Sequence, residues 1–287
     1  MLTTFFWGGS FLFTKVGIAE IAPPHFAFVR FLLATLIMLA ICGRRMKQLN
    51  FDTIRRGAIV GLALGATNLS FVFGIKGTSI SRAGILNNLF VLIIPLLAKG
   101  IWRDRIGRVN MAGIMLAVAG IWLLANGGAA GFSRGDMIST VCAFFIACHI
   151  LTVSKVLKND DIYLVSLVQF AVVAFMAGIA SMTTAPPASL PSTATLLSLV
   201  YCAIFPTVVC FTLQNSYQRH VTATRAGLVY TLDPVWALLA GYFVLGERLG
   251  KEEWIGCVLI FAAVLLPLFV RLSAEFSFAR KNIKPVA

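Results

Sequence analysis

Charge is what this chain has least of. Asp, Glu, Lys and Arg together make up only 12% of its residues, about half the roughly 25% carried by soluble domains. There are too few to cover a water-facing surface. Acids are scarcer still, 11 against 24 Lys and Arg, and no two of them fall together inside an apolar stretch. The three histidines do not cluster. No His-Glu-x-x-His, Walker loop or Gly-x-Ser-x-Gly occurs, so no hydrolase, metalloprotease or nucleotide-driven pump is written here, and an enzyme is not expected. The six cysteines (42, 142, 148, 202, 210 and 257) all lie in apolar text without C-x-x-C spacing. That excludes a disulfide framework or zinc site and leaves them as small apolar residues. Neither a cofactor nor a metal is expected.

Apolar text is abundant instead: 59% of residues are hydrophobic and the mean hydropathy is +0.90. A bilayer crossing takes about 20 apolar residues, and ten stretches qualify: 1–19, 24–42, 56–75, 78–98, 109–126, 137–156, 162–182, 194–216, 224–245 and 254–272. They do not alternate in polarity, which excludes a β-barrel. The opening MLTTFFWGGSFLFTKVG lacks a basic leader and carries Lys15, so it reads as a span and not as a signal peptide. It is tight for a full crossing, which leaves room for residues upstream of Met1.

The net charge of +13 would suit nucleic acid, but its placement does not. With a cytoplasmic N-terminus, 17 basic residues fall in inner loops, among them Arg44, Arg45, Arg55, Arg56, Lys99, Arg103, Arg105, Lys158 and Arg219. Six fall outside: Lys15, Lys76, Arg82, Arg134, Arg248 and Lys251. The excess is therefore a topology signal with both termini inside, and nucleic acid is not an expected partner.

One phrase is written twice. SRAGILNN at 81–88 returns as TRAGLVYT at 224–231, a shift of 143. At that shift Arg82-Ala83-Gly84 meets Arg225-Ala226-Gly227, Arg105-Ile106-Gly107-Arg108 meets Arg248-Leu249-Gly250-Lys251, and Gly113 meets Gly256, with no gap. Upstream, WGGSFLFTKV lies over ACHILTVSKV at a shift of 140. Matched charges inside apolar helices are costly accidents. Each copy holds five predicted helices, and five is odd, so the second copy crosses in the opposite sense. Two inverted copies supply two related conformations, one open to each side, which is the logic of alternating access around a midplane site.

FFWGGSFLFTKVG with Arg30, and DPVWALLAGYFVLGERLGKEEWIGCVLIFAAV at 233–264, resemble the drug/metabolite transporter superfamily, EamA type, over essentially the whole chain. The likeness departs at Asp233, where Glu is the more usual residue before proline. It implies an all-α integral membrane fold, with ten transmembrane helices as two inverted-topology five-helix repeats around a central cavity. The first repeat would span 1–128, the second 129–274, and 275–287 would be a basic cytoplasmic tail. It also implies gradient-driven transport in the inner membrane, since family members include amino acid exporters.

Polar groups at mid-depth are the candidates for the cavity wall. Trp7, Ser10 and Thr14 share a face of the first helix. Asn68 and Phe71 neighbour each other in the third, Asn87 and Asn88 sit mid-depth in the fourth, and His149 shares a face with Thr152 in the sixth. Tyr230, Asp233 and Trp236 follow at i, i+3 and i+6 in the ninth. Asp233 is the one acid inside a predicted span. Its structural role would be an ion pair with Lys15 or Arg30, and its functional role a proton carrier or a seat for a substrate ammonium. Arg30 could anchor a substrate carboxylate. The asparagines could be interhelical glue, and His149 a satisfied core residue. Pro95 and Pro234 are expected to kink or gate their helices, and Glu247-Arg248 to act as a structural or gating pair. Gly57, Gly61 and Gly65, four apart, form a close-packing ridge. The expected partners are the lipid bilayer and a small-molecule substrate, with self-association no tighter than a weak dimer. Aromatic, amide and single-acid walls suit a neutral or aromatic amino acid. The alternative is efflux of drugs or hydrophobic cations, with Asp233 as the cation site.

Overall fold

A computed structural model describes residues 2–102, 108–126, 131–186 and 190–282. Side chains are described for these except at 99–102, 110, 124–126, 224, 225, 228, 267, 268 and 271–282. The described chain is helical and contains no strand. Its helices are α1 (Leu2–Glu20), α2 (Pro23–Cys42), α3 (Phe51–Gly77), α4 (Ile80–Asn87), α5 (Phe90–Trp102), α6 (Arg108–Asn126), α7 (Arg134–Val156), α8 (Ile162–Ser181), α9 (Thr193–Cys202), α10 (Cys210–Gln218), α11 (Ala223–Val229), α12 (Asp233–Phe243) and α13 (Lys251–Asn282). Six helical segments among the described residues are long and apolar enough to cross a membrane: Pro23–Gln48, Phe51–Gly77, Ile80–Ala98, Arg134–Val156, Ile162–Ser181 and Thr193–Gln218. The other stretches read as spans are helical where they are described. Their exteriors are apolar: Met115, Trp122, Phe243 and Val258 are each more than half exposed, as lipid-facing side chains must be.

The helices start where short polar side chains can absorb the unpaired N–H groups of a first turn. Asn50 accepts from Thr53 N, Ser79 from Arg82 N, and Ser192 from Thr195 N. Ser133 and Asp136 form a reciprocal capping box at α7. Within the bundle, α3 lies along α7 and α9 along α1; α2 packs on α8, α6 on α13, α4 on α12 and α5 on α11. The glycine ridge works as expected, against α8. A Cβ on Gly57 would stand 2.8 Å from Val168 Cβ, one on Gly61 2.9 Å from Val172 Cβ, and one on Gly65 would strike Met176. Only bare backbone lets these helices come so close.

Three of the segments read as continuous are broken. The fourth stops at Asn87, turns through Asn88 and Leu89, and restarts at Phe90. The ninth passes through a 3₁₀ turn at Tyr230–Leu232 and restarts as an α-helix at Asp233. The eighth contains a π-helical turn at Ala203–Val209 around Pro206. Pro234, at the start of α12, sits where a proline costs no hydrogen bond. Pro95 lies inside the unbroken α5. The break of the fourth segment falls seven residues before Pro95, at the asparagines.

Candidate functional site

A buried cavity of about 110 Å³ lies where these breaks meet. One water needs roughly 10–15 Å³ by this kind of measure, so the space suits a small polar solute. Its wall takes in Trp7, Ser10, Asn68, Phe71, Asn87, Asn88, His149, Tyr230 and Asp233, together with Arg30 and Pro234. All were singled out in the sequence. The structure does not bring Trp236, Lys15 or Pro95 to this wall. Trp236 is 37% exposed, its ring edge-on to Phe5 at 5.3 Å and its Cβ over Gly8. The i, i+3, i+6 reading assumed one uninterrupted helix. The 3₁₀ turn holds Tyr230 and Asp233 in line, whereas three residues further along an α-helix the direction has turned by about 60°.

The two expected cation partners of Asp233 are engaged elsewhere. Lys15 Nζ donates to the carbonyls of Ile75 and Thr78, 2.7 Å each, closing the C-terminus of α3. Arg30 Nε donates to Thr207 Oγ1 at 2.8 Å. The π-helical turn builds this contact. Pro206 has no N–H to give to the preceding helical turn, and Thr207 Oγ1 donates to the Cys202 carbonyl at 2.7 Å while accepting from Arg30. The Pro206 carbonyl in turn accepts Trp7 Nε1 at 3.0 Å. So an irregular turn fixes both the indole and the guanidinium that face the cavity. Asp233 sits in the first turn of α12, where the helix dipole favours negative charge. Its buried Oδ1 has no donor among the described residues.

Aromatic rings form the apolar walls. Trp7 meets Tyr230 edge-on at 5.0 Å and Phe211 at 5.4 Å, and Phe11 meets Phe71 edge-on at 4.9 Å. Below Tyr230 runs a network of neutral polar groups that the sequence reading missed. Gln214 Nε2 donates to Gln218 Oε1 at 2.6 Å, and Gln218 Nε2 donates to Ile150 O at 2.6 Å and Ser154 Oγ at 3.1 Å. Tyr230 OH reaches Gln218 Oε1 at 3.4 Å. Asn215 Nδ2 donates to Gln169 Oε1 at 2.7 Å, and Gln169 Nε2 meets His149 Nε2 at 3.2 Å. Three amides at 214, 215 and 218 in an apolar helix were the available signal.

In a second cluster the chemistry is ionic. Arg82 holds Asp136 through Nη2–Oδ2 at 2.7 Å and Nε–Oδ1 at 3.2 Å, and holds Glu253 through Nη1–Oε1 at 2.6 Å. Glu247 caps α4, accepting Ile80 N at 2.8 Å, Ser81 N at 3.1 Å and Ser81 Oγ at 2.6 Å. Arg248 lies over the Tyr242 ring at 4.1 Å. Glu247 and Arg248 thus part company and do not form the pair the sequence suggested. Arg225, the repeat partner of Arg82, and Arg105 lie outside the described side chains.

A largely apolar bundle with six membrane-length helices among the described residues, around a cavity lined by aromatic and polar side chains, defines a multi-pass membrane protein. The chain belongs to the EamA-like transporter family, whose model matches it twice, over residues 1–126 and 133–269. Among its relatives is an uncharacterized transporter of Archaeoglobus fulgidus, 28% identical over 92% of this chain and 83% of its own length. The uncharacterized inner membrane transporter YedA of Escherichia coli K12 is 26% identical over 91% of this chain and 87% of that protein. A probable amino-acid metabolite efflux pump of Salmonella typhimurium is 25% identical over 96% and 97%. A solved crystal structure shares the fold, with a TM-score of 0.68 at 17% identity over 96% of both chains.

Proposed function

We propose that this chain is a secondary transporter that exports neutral amino acids, aromatic ones foremost, or closely related metabolites across the inner membrane by alternating access. Ten spans arranged as two inverted five-helix repeats, 1–128 and 129–274, would carry it, with both termini and the basic tail 275–287 cytoplasmic. The observation that carries the reading is the cavity at the paired helix breaks, its largely apolar wall interrupted by a few polar side chains such as Asn68, Asn87, His149 and Asp233. The turn at Asn88–Leu89 and the turn at Tyr230–Leu232 fall at the same place in the two copies at the shift of 143. Discontinuous helices facing a midplane site are how gradient-driven carriers present backbone and side-chain polarity to a solute.

The contacts support the repeat in a second way. Gly84 packs on Ala237, and Gly227 packs on Ile94; adding 143 to 84 and 94 gives 227 and 237. Contacts that exchange partners in this manner are those of a pseudo-two-fold axis. The same exchange relates α3 on α7 to α9 on α1. Two relatives named as probable amino-acid metabolite efflux pumps, at 25% and 23% identity, favour amino acids. The unpaired Oδ1 of Asp233 amid aromatic rings favours the second reading, efflux of hydrophobic cations.

Counterflow in proteoliposomes separates the two. Vesicles preloaded with unlabelled phenylalanine, threonine or ethidium are given the labelled counterpart, with and without a pH gradient. Saturable phenylalanine or threonine exchange is expected, weakened by Asp233→Asn. Ethidium exchange with both amino acids inert would overturn the amino acid reading in favour of the second.

A further inference from the structure

Arg30 is a buried cation that the protein itself engages only in part. The residue sits on α2 and is 2% exposed. Its Nε donates to Thr207 Oγ1 at 2.8 Å, and the Phe31 ring lies 5.2 Å from its Cζ. No carboxylate stands within ion-pair distance of it among the described residues, Asp233 on the same cavity wall included. A guanidinium carries five N–H donors, so Nη1 and Nη2 hold the rest. Neither Nη meets an acceptor among the described residues, and neither is closed off. The buried polar atoms there that are both closed off and unmet are all oxygens, on Asn87, Asn88, Thr212, Gln214, Asn215 and Asp233. The two Nη groups therefore keep surface open to the cavity whose wall Arg30 helps to form. A positive charge at this depth, with open donors, is costly until an anion meets it.

One irregular turn builds the seat. Thr207 is fully buried. Its hydroxyl is used twice, donating to the Cys202 carbonyl at 2.7 Å and accepting from Arg30, so it holds Nε and with it the plane of the guanidinium. The residue before it, Pro206, offers its carbonyl to Trp7 Nε1 at 3.0 Å. Neighbouring residues of one π-helical turn thus set a cation and an indole at a fixed separation, and such turns recur at functional sites. Trp7 continues into Phe211 at 5.4 Å and Tyr230 at 5.0 Å, so the space beside the cation is aromatic. A carboxylate matches two parallel N–H groups of one arginine. A phosphate dianion would call for a second cation, and the wall has no other lysine or arginine among the described residues.

We infer that Arg30, positioned by Thr207, anchors the carboxylate of the solute, so that the site takes small amphiphilic carboxylates and discriminates against amines of the same shape that lack the acid. The assignment rests on the transport reading above and adds which end of the solute is fixed. Thr207 is not on the cavity wall and acts through Arg30. The same charge disfavours hydrophobic cations.

The test is competition against labelled phenylalanine counterflow in proteoliposomes. Phenylalaninol keeps the ring and the amine and carries a hydroxyl in place of the carboxylate. Loss of a charged hydrogen bond weakens binding about 10-fold or more, so phenylalaninol should compete at least about 10-fold more weakly than phenylalanine. Arg30→Gln should bring the two level. Thr207→Val, which frees Nε, should narrow the gap, and Thr207→Ser, which keeps the hydroxyl, should restore it. A merely structural role would lower the rate and leave the ratio of the two competitors where it was. If Arg30→Gln exchanges too slowly to read, the ratio is taken from the concentrations of each that protect the purified variant against thermal unfolding in detergent. Equal competition by phenylalaninol in wild type would overturn the assignment while leaving amino acid transport standing. So would an Arg30→Gln protein that keeps the wild-type ratio; repair of its rate by Asp233→Asn would then mark Arg30 as an internal partner of that acid. No amino acid exchange at all would defeat the transport reading, and this assignment with it.

Discussion

Two polar clusters hold the bundle by different chemistry, one ionic and one beside the cavity made of amides. On one side Arg82 binds Asp136 and Glu253, with side-chain exposures of 7%, 1% and 15%, and Glu247 grips the first turn of α4. On the other side Gln214, Gln218, Asn215, Gln169 and His149 are neutral and bond to one another, to Ser154 and Ser166, and to a helix carbonyl. Buried charges gain from one another only in a narrow geometry, and an abandoned partner is left costly. Such a contact is either made or broken. Amides can change partners in steps, each worth far less. The ionic cluster joins α4 to α7 and α13, so parting it means moving these helices against each other. The amide cluster lies beside the cavity, whose wall includes Gln214, His149 and Tyr230.

That contrast can be broken or sharpened by substitution, read as thermal unfolding in detergent. Asp136→Ala takes from Arg82 the more buried of its two carboxylates and leaves Thr78 Oγ1 and Ser133 N without their acceptor, and should have the largest effect, a loss of about 3 kcal/mol. The more conservative pair Arg82→Met with Asp136→Leu should recover most of that loss. Gln218→Leu removes the hub of the amide cluster and leaves the Ile150 carbonyl unmet, which should cost about 1–3 kcal/mol. Ser133→Ala deletes one side of the capping box at α7 and should cost about 1 kcal/mol. Tyr230→Phe gives up only a 3.4 Å bond and should change stability by about 0.5 kcal/mol, with its effect appearing in transport instead. An Asp136→Ala protein as stable as Tyr230→Phe would mean that the two clusters do not differ as described.

Much of this architecture was legible in the sequence because a bilayer imposes few rules. Apolar length marked the helical stretches, and spacing by four predicted that Gly57, Gly61 and Gly65 would admit another helix. Polar residues in apolar text named most of the cavity wall, since polarity at depth needs a reason. The breaks were not legible. Asn87 and Asn88 were read for their polarity at depth and not as a helix end, where the backbone tightens to bonds three residues apart, Leu89 N to Leu86 O at 3.2 Å and Leu92 N to Leu89 O at 3.0 Å. Pro95 drew attention as a kink or gate point and lies seven residues beyond the break, while Pro206, in the turn that holds Arg30 and Trp7, passed unremarked. Trp236 was misplaced because the helix register restarts at Asp233. Gln214 was missed although the same polarity rule would have found it. The pairing of Arg82 with Asp136 and Glu253 spans 54 and 171 positions, a separation at which one sequence holds no local signal.

Alternating access, as proposed above, requires the ionic cluster to part when a solute crosses. Ser81 and Glu247 touch at that cluster, Oγ to Oε2 at 2.6 Å, and the six native cysteines are free thiols buried or partly buried in the bundle. Ser81→Cys with Glu247→Cys, joined by a short reversible bis-thiol reagent in proteoliposomes, should stop phenylalanine counterflow, and reductant should restore it, while wild type treated alike is unaffected. Undiminished counterflow through fully cross-linked protein would contradict the account.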